Sequence, residues 1–146
     1  MNLSPLLAAS ITMLLPASDA ASAQASSSAP PPLSAAAPLN IGFVLYTRSD
    51  RPGTLNARWS YANAYSGPGV ATGGPTSGGF VGRYHVRYFL ENGAFSDEYD
   101  LEIQRHSSGD FYDVTWIANS AISARGVGME VAGGNSLAVG WRRISD

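Results

Sequence analysis

The sequence predicts an all-β domain: an antiparallel up-and-down meander of about eight strands that closes into a small barrel. Three observations carry this reading. Apolar residues recur at every second position over most of the chain beyond residue 39, no stretch sustains a 3.6-residue period, and turn residues bound each alternating run. A two-sheet β-sandwich is the alternative. The barrel is favoured because closure leaves no strand edge open to aggregation.

Two segments precede the domain. Leu6 to Pro16 is an apolar run, LLAASITMLLP. It is too short for the roughly 20 apolar residues of a membrane span and has the length of a signal-peptide core. Ala21-Ser22-Ala23 and Ala23-Gln24-Ala25 then supply the small-x-small pattern a signal peptidase accepts. Residues 1–23 are therefore expected to be a signal peptide, with cleavage after Ala23 or Ala25. The mature protein is expected to be exported, periplasmic or extracellular, with no membrane span. Residues 24–38 are almost purely Ala, Ser and Pro, too poor in apolar bulk to offset ordering entropy, and are expected to form a disordered linker. The β-domain is expected over residues 39–146.

Within it, Ile41 to Thr47 is β-branched and aromatic enough for a first strand. Leu55, Ala57, Trp59 and Tyr61 alternate with polar residues in a second, and Gly69 to Gly73 is a short third. Tyr84, Val86 and Tyr88 mark the fourth; Tyr99, Leu101 and Ile103 the fifth; Tyr112, Val114 and Trp116 the sixth. Val127, Met129 and Val131 mark the seventh, and Leu137, Val139 and Trp141 the eighth. Asn92-Gly93, Ser108-Gly109 and Gly133-Gly134-Asn135 provide turns.

Two registers follow. Around Asn92-Gly93, pairing Tyr88 with Tyr99, Val86 with Leu101 and Tyr84 with Ile103 also sets Arg87 opposite Asp100 and His85 opposite Glu102. Around Gly133-Gly134, Val131 would face Leu137, Met129 would face Val139 and Val127 would face Trp141. An outer-membrane barrel would instead turn a polar face inward.

Composition removes several kinds of chemistry. The absence of cysteine excludes disulfides, thiol catalysis, thiolate-ligated metals and a lipoprotein anchor, so the domain must hold by core packing. All nine basic residues are arginine, and without lysine Schiff-base chemistry is excluded. Loss of the signal removes Asp19, leaving a net charge near −1 of scattered sign. No electrostatic grip on nucleic acid or anionic lipid is expected.

The catalytic inventory is thin. His85 beside Glu102 is a conceivable acid/base pair, yet its position on the polar face reads first as a solvated cross-strand pair. His85 and His106 with Asp100 or Glu102 lack a metal-binding spacing. Asp97, Glu98, Asp100 and Glu102 lack the spacing of a calcium loop. Gly134 to Ala138 fits a hairpin turn better than a nucleophile elbow, and the glycines from Gly67 to Gly79 precede a strand, so no phosphate loop forms. No metal or cofactor is expected.

The aromatic content of the inward face is the most informative feature. Trp59, Tyr84, Tyr88, Tyr99, Tyr112, Trp116 and Trp141 all fall on it, with Trp116 and Trp141 expected to be buried. Tyr and Trp carry polar tips that need partners when buried, and such a lining suits a cavity for a small amphipathic ligand.

The runs Gly82-x-Tyr84-x-Val86-x-Tyr88, Tyr99-x-Leu101-x-Ile103, Tyr112-x-Val114-x-Trp116, Gly126-x-Gly128-Met129 and Leu137-Ala138-Val139-Gly140-Trp141 resemble small exported bacterial β-domain proteins of uncharacterised function. The likeness covers about residues 53 to 143 and implies export and a compact β domain, without an activity. In architecture the chain is also similar to the calycins, the avidin and lipocalin barrels. Their Gly-x-Trp is here Ala57-x-Trp59, and Arg142 or Arg143 would be the arginine packed on the Trp. This likeness implies a fold and no ligand.

The reading that follows is a non-enzymatic exported binding module, monomeric or a small oligomer, holding a small hydrophobic or aromatic ligand between those seven side chains. One alternative is an envelope or secreted protein-interaction or inhibitor domain using its outer face or the Gly-rich stretch 66–79. Another is a hydrolase or isomerase using His85 and Glu102.

Overall fold

A computed structural model describes residues 39–144 apart from 78, 108 and 109. The expected signal peptide and linker lie outside the described residues. The domain is an all-β closed barrel of eight antiparallel strands in meander order. They are Gly42–Arg48 (β1), Leu55–Tyr61 (β2), Tyr65–Thr72 (β3), Gly82–Phe89 (β4), Phe95–Arg105 (β5), Phe111–Ala118 (β6), Ala121–Val131 (β7) and Ser136–Arg143 (β8). Strand β8 pairs with both β7 and β1, so the sheet has no free edge.

Alternation does most of the work. Val44 and Tyr46, Leu55, Ala57 and Trp59, Tyr84, Val86 and Tyr88, Leu101 and Ile103, Tyr112, Val114 and Trp116, and Leu137 and Val139 are all buried. Their outward neighbours form surface ion pairs: Arg83 with Glu102 at 2.6 Å and Arg87 with Glu98 at 3.2 Å.

The β4–β5 hairpin is shifted two residues from the expected register. Tyr84 faces Leu101, Val86 faces Tyr99, Tyr88 faces Asp97, and His85 faces Asp100. The loop causes this. Leu90 and Ala94 close a three-residue turn, with Gly93 N–H donating to Leu90 O at 2.9 Å and Gly93 in the left-handed region at φ 89°. A bulge follows at Tyr88/Phe89. A two-residue shift preserves the faces, but it brings Asp97 beside Tyr88 and separates His85 from Glu102.

The β7–β8 hairpin slips by one residue, which inverts β7. Ser136 pairs with Val131, Leu137 with Glu130, Val139 with Gly128 and Trp141 with Gly126. Val127 and Met129 therefore point outward, 59% and 46% exposed, where an inward position was expected. The turn runs through Ala132, Gly133 and Gly134, all at positive φ. The interior explains why glycines face in: a Cβ on Gly126 would lie 2.6 Å from the Gly140 carbonyl oxygen and 2.9 Å from a Val139 methyl. The side chains of β8 already fill that space.

One end of the barrel is plugged. The stretch 66–79 is not one loop: through Thr72 it is strand β3, and beyond it Gly74 lies against the Tyr84 ring and Pro75 beside Gly82. Phe80 is inserted there, 1% exposed, with the Tyr84 hydroxyl donating to its carbonyl at 2.9 Å. The Arg48 guanidinium lies 4.2 Å from the Phe80 ring centroid, and its Nε donates to Gly134 O at 3.0 Å. Tyr112 completes the plug. Its ring meets Phe80 edge-on, and its hydroxyl bonds Glu130 and accepts from Arg105.

Candidate functional site

The opposite end is open. Between the first residues of β1, β3, β5 and β7 and the last of β2, β4, β6 and β8 lies a cavity of about 400 Å³. Three connections surround its mouth, and all are tight. Tyr61 to Ala64 is a turn with Ala62 and Asn63 at positive φ, closed by Ala64 N–H to Tyr61 O at 3.0 Å. Asn119 and Ser120, also at positive φ, make a two-residue turn between β6 and β7. Glu91 to Gly93 make the third. Two- and three-residue loops of this kind reverse the chain without covering anything.

Two aromatic walls line the cavity. In the first, Tyr61 stacks on Trp141 with centroids 5.0 Å apart and planes 16° apart, and Trp141 meets Trp116 at 5.9 Å. Trp141 is flanked across the sheet by Gly42 on β1 and Gly126 on β7, which leaves its indole room to lie along the wall. A Cβ on Gly42 would overlap the indole ring. In the second wall, Trp59 packs edge-on to Tyr88 at 5.9 Å and Tyr88 meets Tyr99 at 6.2 Å. Trp59 Nε1 is shared between the carbonyls of Pro68 and Phe89, each at 3.1 Å. It satisfies backbone acceptors where β3, carrying Pro68, is not yet paired with β4.

The walls join at the cavity floor. Trp116 Nε1 donates to the Tyr88 hydroxyl at 2.8 Å, and the Tyr88 and Tyr46 hydroxyls share a hydrogen bond of 2.5 Å. Burial, the largest cause, raises both phenols well above their ordinary pKa. Tyr99 is pushed up to about 12, by burial first and then by its hydrogen bond to Asp97 Oδ2. The interior is therefore neutral at physiological pH. Charge sits only at the rim, with Asp97 on β5 and Arg143 on β8.

Five of the seven aromatics singled out from the sequence meet here: Trp59, Tyr88, Tyr99, Trp116 and Trp141. Trp116 is buried, whereas Trp141 is only partly so. Tyr84 and Tyr112 are not in this cavity but in the plug at the other end. Sequence reasoning missed Tyr61, Tyr65, Leu90, Phe95 and Asp97, and offered Arg143 only as a candidate arginine against a Trp, not as a lining residue. Parity was an available signal for three of them. Tyr61 shares the face of Trp59, Asp97 that of Tyr99 and Arg143 that of Trp141. Of the two candidate arginines, Arg143 turns to an aromatic, and its partner is the Tyr61 ring at 5.7 Å rather than Trp59.

The acid/base alternative loses its pairing. His85 lies on the outer surface, with Asp100 at 3.4 Å and Glu98 at 3.5 Å, while Glu102 is engaged by Arg83. His106 is a separate exposed pair with Asp113 at 3.0 Å. No cleft surrounds either among the described residues.

No family model, curated protein or solved structure matches the chain.

Proposed function

We propose that the domain is an exported, non-enzymatic binding module that holds a small hydrophobic or aromatic ligand in the open end of its barrel. The observation that carries this is the cavity of about 400 Å³ walled by Trp59, Tyr88, Tyr99, Trp116 and Trp141. Its size falls within the roughly 300–1,000 Å³ of small-molecule sites, and an apolar lining with a few polar groups is their usual composition. Titration of the full chain with N-phenyl-1-naphthylamine, an apolar probe that fluoresces when desolvated, tests the reading. Binding should saturate at one site. Ala124→Phe, which places a ring in the cavity from a small lining residue, should weaken it at least about tenfold, equivalent to about 1.4 kcal/mol. The variant's urea midpoint should stay near wild type. Equal binding by the variant would refute the reading.

A second reading, a protein-interaction domain, is favoured by one observation on the outer face. Phe43, Gly140 and Val127 align across β1, β8 and β7, and Leu45, Ala138, Met129 and Phe111 align in the next row, which continues onto β6. Phe43, Val127, Met129 and Phe111 are each about half exposed. Contiguous apolar surface of this kind marks contact sites. Met129→Asp would abolish partner capture under this reading and leave probe binding untouched.

A further inference from the structure

The cavity floor constrains what can bind, provided the ligand-binding reading above holds. Three polar groups meet there: the Trp116 indole N–H and the hydroxyls of Tyr46 and Tyr88. Together they carry three protons but only two acceptor oxygens, since an indole nitrogen accepts nothing. Among the described residues their side-chain hydrogen bonds are to one another, and two bonds use two protons. One hydroxyl proton is left over.

Its owner follows from placement. Tyr46 is wholly enclosed, 0% exposed, and takes no part in the cavity wall; Tyr88 does. A donor stranded in a closed core loses its hydration and gains nothing, whereas a donor facing a cavity can meet an incoming acceptor. Tyr46 therefore donates to Tyr88. The Tyr88 oxygen accepts from both Tyr46 and Trp116, and its own proton is directed to the cavity. Burial holds Tyr88 protonated, so the donor persists across physiological pH.

We propose that the cavity selects compact cyclic or aromatic compounds bearing a neutral carbonyl at their inner end, with Tyr88 O–H donating to that oxygen. The ring system lies between Trp59 and the Trp116–Trp141 wall. A carboxylate at the same depth would be desolvated against a single donor, which is too little to hold a charge. Anionic groups are thereby turned toward Arg143 at the rim or refused.

The pair 1-indanone and indane, which differ by one carbonyl, tests this on the full chain by calorimetry. The readout is the affinity ratio of ketone to hydrocarbon in each variant. Tyr88→Phe should lower that ratio about tenfold, the value of one hydrogen bond, while indane binding changes little. Tyr46→Phe removes a hydroxyl from the same network but leaves the Tyr88 donor, and should keep the wild-type ratio. The infrared carbonyl stretch of 1-indanone bound to wild type should move below its frequency in hydrocarbon solvent, a readout that survives any folding defect in the variants. An unshifted stretch, an unchanged ratio in Tyr88→Phe, or a lost preference in Tyr46→Phe would each overturn the assignment. Indane binding without carbonyl preference would defeat this inference alone; failure of both compounds to bind would defeat the ligand-binding reading with it.

Discussion

The two ends of the barrel are built from the same residue types and come out differently. At the closed end Phe80, Tyr84 and Tyr112 fill the interior, and their polar tips are met by a carbonyl, a carboxylate and an arginine. At the open end Trp59, Tyr88, Trp116 and Trp141 stand around empty space. What separates them is the connections. The closed end receives the long segment between β3 and β4, which carries Phe80 inward and can fold across the opening. Among the described residues, the connections between strands at the open end are tight turns, held by positive φ at Ala62, Asn63, Gly93, Asn119 and Ser120, and such turns cannot reach across a barrel. Loop length, more than core composition, decides which aromatic cluster is a core and which a lining.

Truncating one aromatic at each end tests that difference and should produce the largest effects. Phe80→Ala empties a filled site and should cost on the order of 3–5 kcal/mol in urea denaturation, a large share of the ~5–15 kcal/mol a domain commands. Trp116→Ala enlarges space that already exists, so its cost should be smaller, near the lower end of that range at about 3 kcal/mol, and its main effect should be loss of probe affinity. Equal stability losses with unchanged binding would make the ends equivalent.

A medium effect separates the observed β7 register from the alternating one. Gly126→Ala puts a methyl against the Gly140 carbonyl and the Val139 side chain, and should destabilise by about 1–3 kcal/mol. Val127→Ser, on an exposed outward position, should stay within about 0.5 kcal/mol. The reverse ranking would restore Val127 to the interior.

The mildest effect is on pH dependence, and both ends contribute. Tyr84 and Tyr112 in the plug are raised above the ordinary phenol value of 10, and so are Tyr88 and Tyr99 at the cavity and Tyr46 enclosed behind it. In each case burial is the largest cause. A pKa raised on folding contributes stability that is fully present below the unfolded value and is lost as pH rises through the folded one. As far as the phenols decide it, the urea midpoint should therefore be flat from neutrality up to about pH 10 and fall toward pH 12. Tyr99→Phe should make the fall shallower, since Tyr99 titrates near 12 in the folded domain. A midpoint independent of pH over that interval would mean the phenols are solvated.

The strands and their closure were legible because period-2 alternation is a strong signal when one face is buried. Registers were not, because they depend on loops. The bulge after Tyr88 and the positive-φ turn at Ala132 to Gly134 each move the pairing without disturbing the pattern of either strand. Strand β7 was misread for a further reason. Its apolar residues face solvent and its glycines face in, so the alternation that reports burial elsewhere is inverted there. Five lining aromatics were legible as inward Tyr and Trp at strand positions. Tyr65 and Phe95 flank turns and belong to no buried run. Tyr84 and Tyr112 were indistinguishable from lining residues, since nothing in their own strands reveals that Phe80, from a loop, would cover them.

The most direct measurement is the ¹H–¹⁵N spectrum of the labelled chain during titration with N-phenyl-1-naphthylamine. The indole Nε1–H signals of Trp59, Trp116 and Trp141 should all shift along one saturable isotherm, while the backbone amides of Phe80, Tyr84 and Tyr112 stay in place. Unmoved indoles, or shifts confined to Val127 and Met129 on the outer face, would contradict an open, ligand-accepting end.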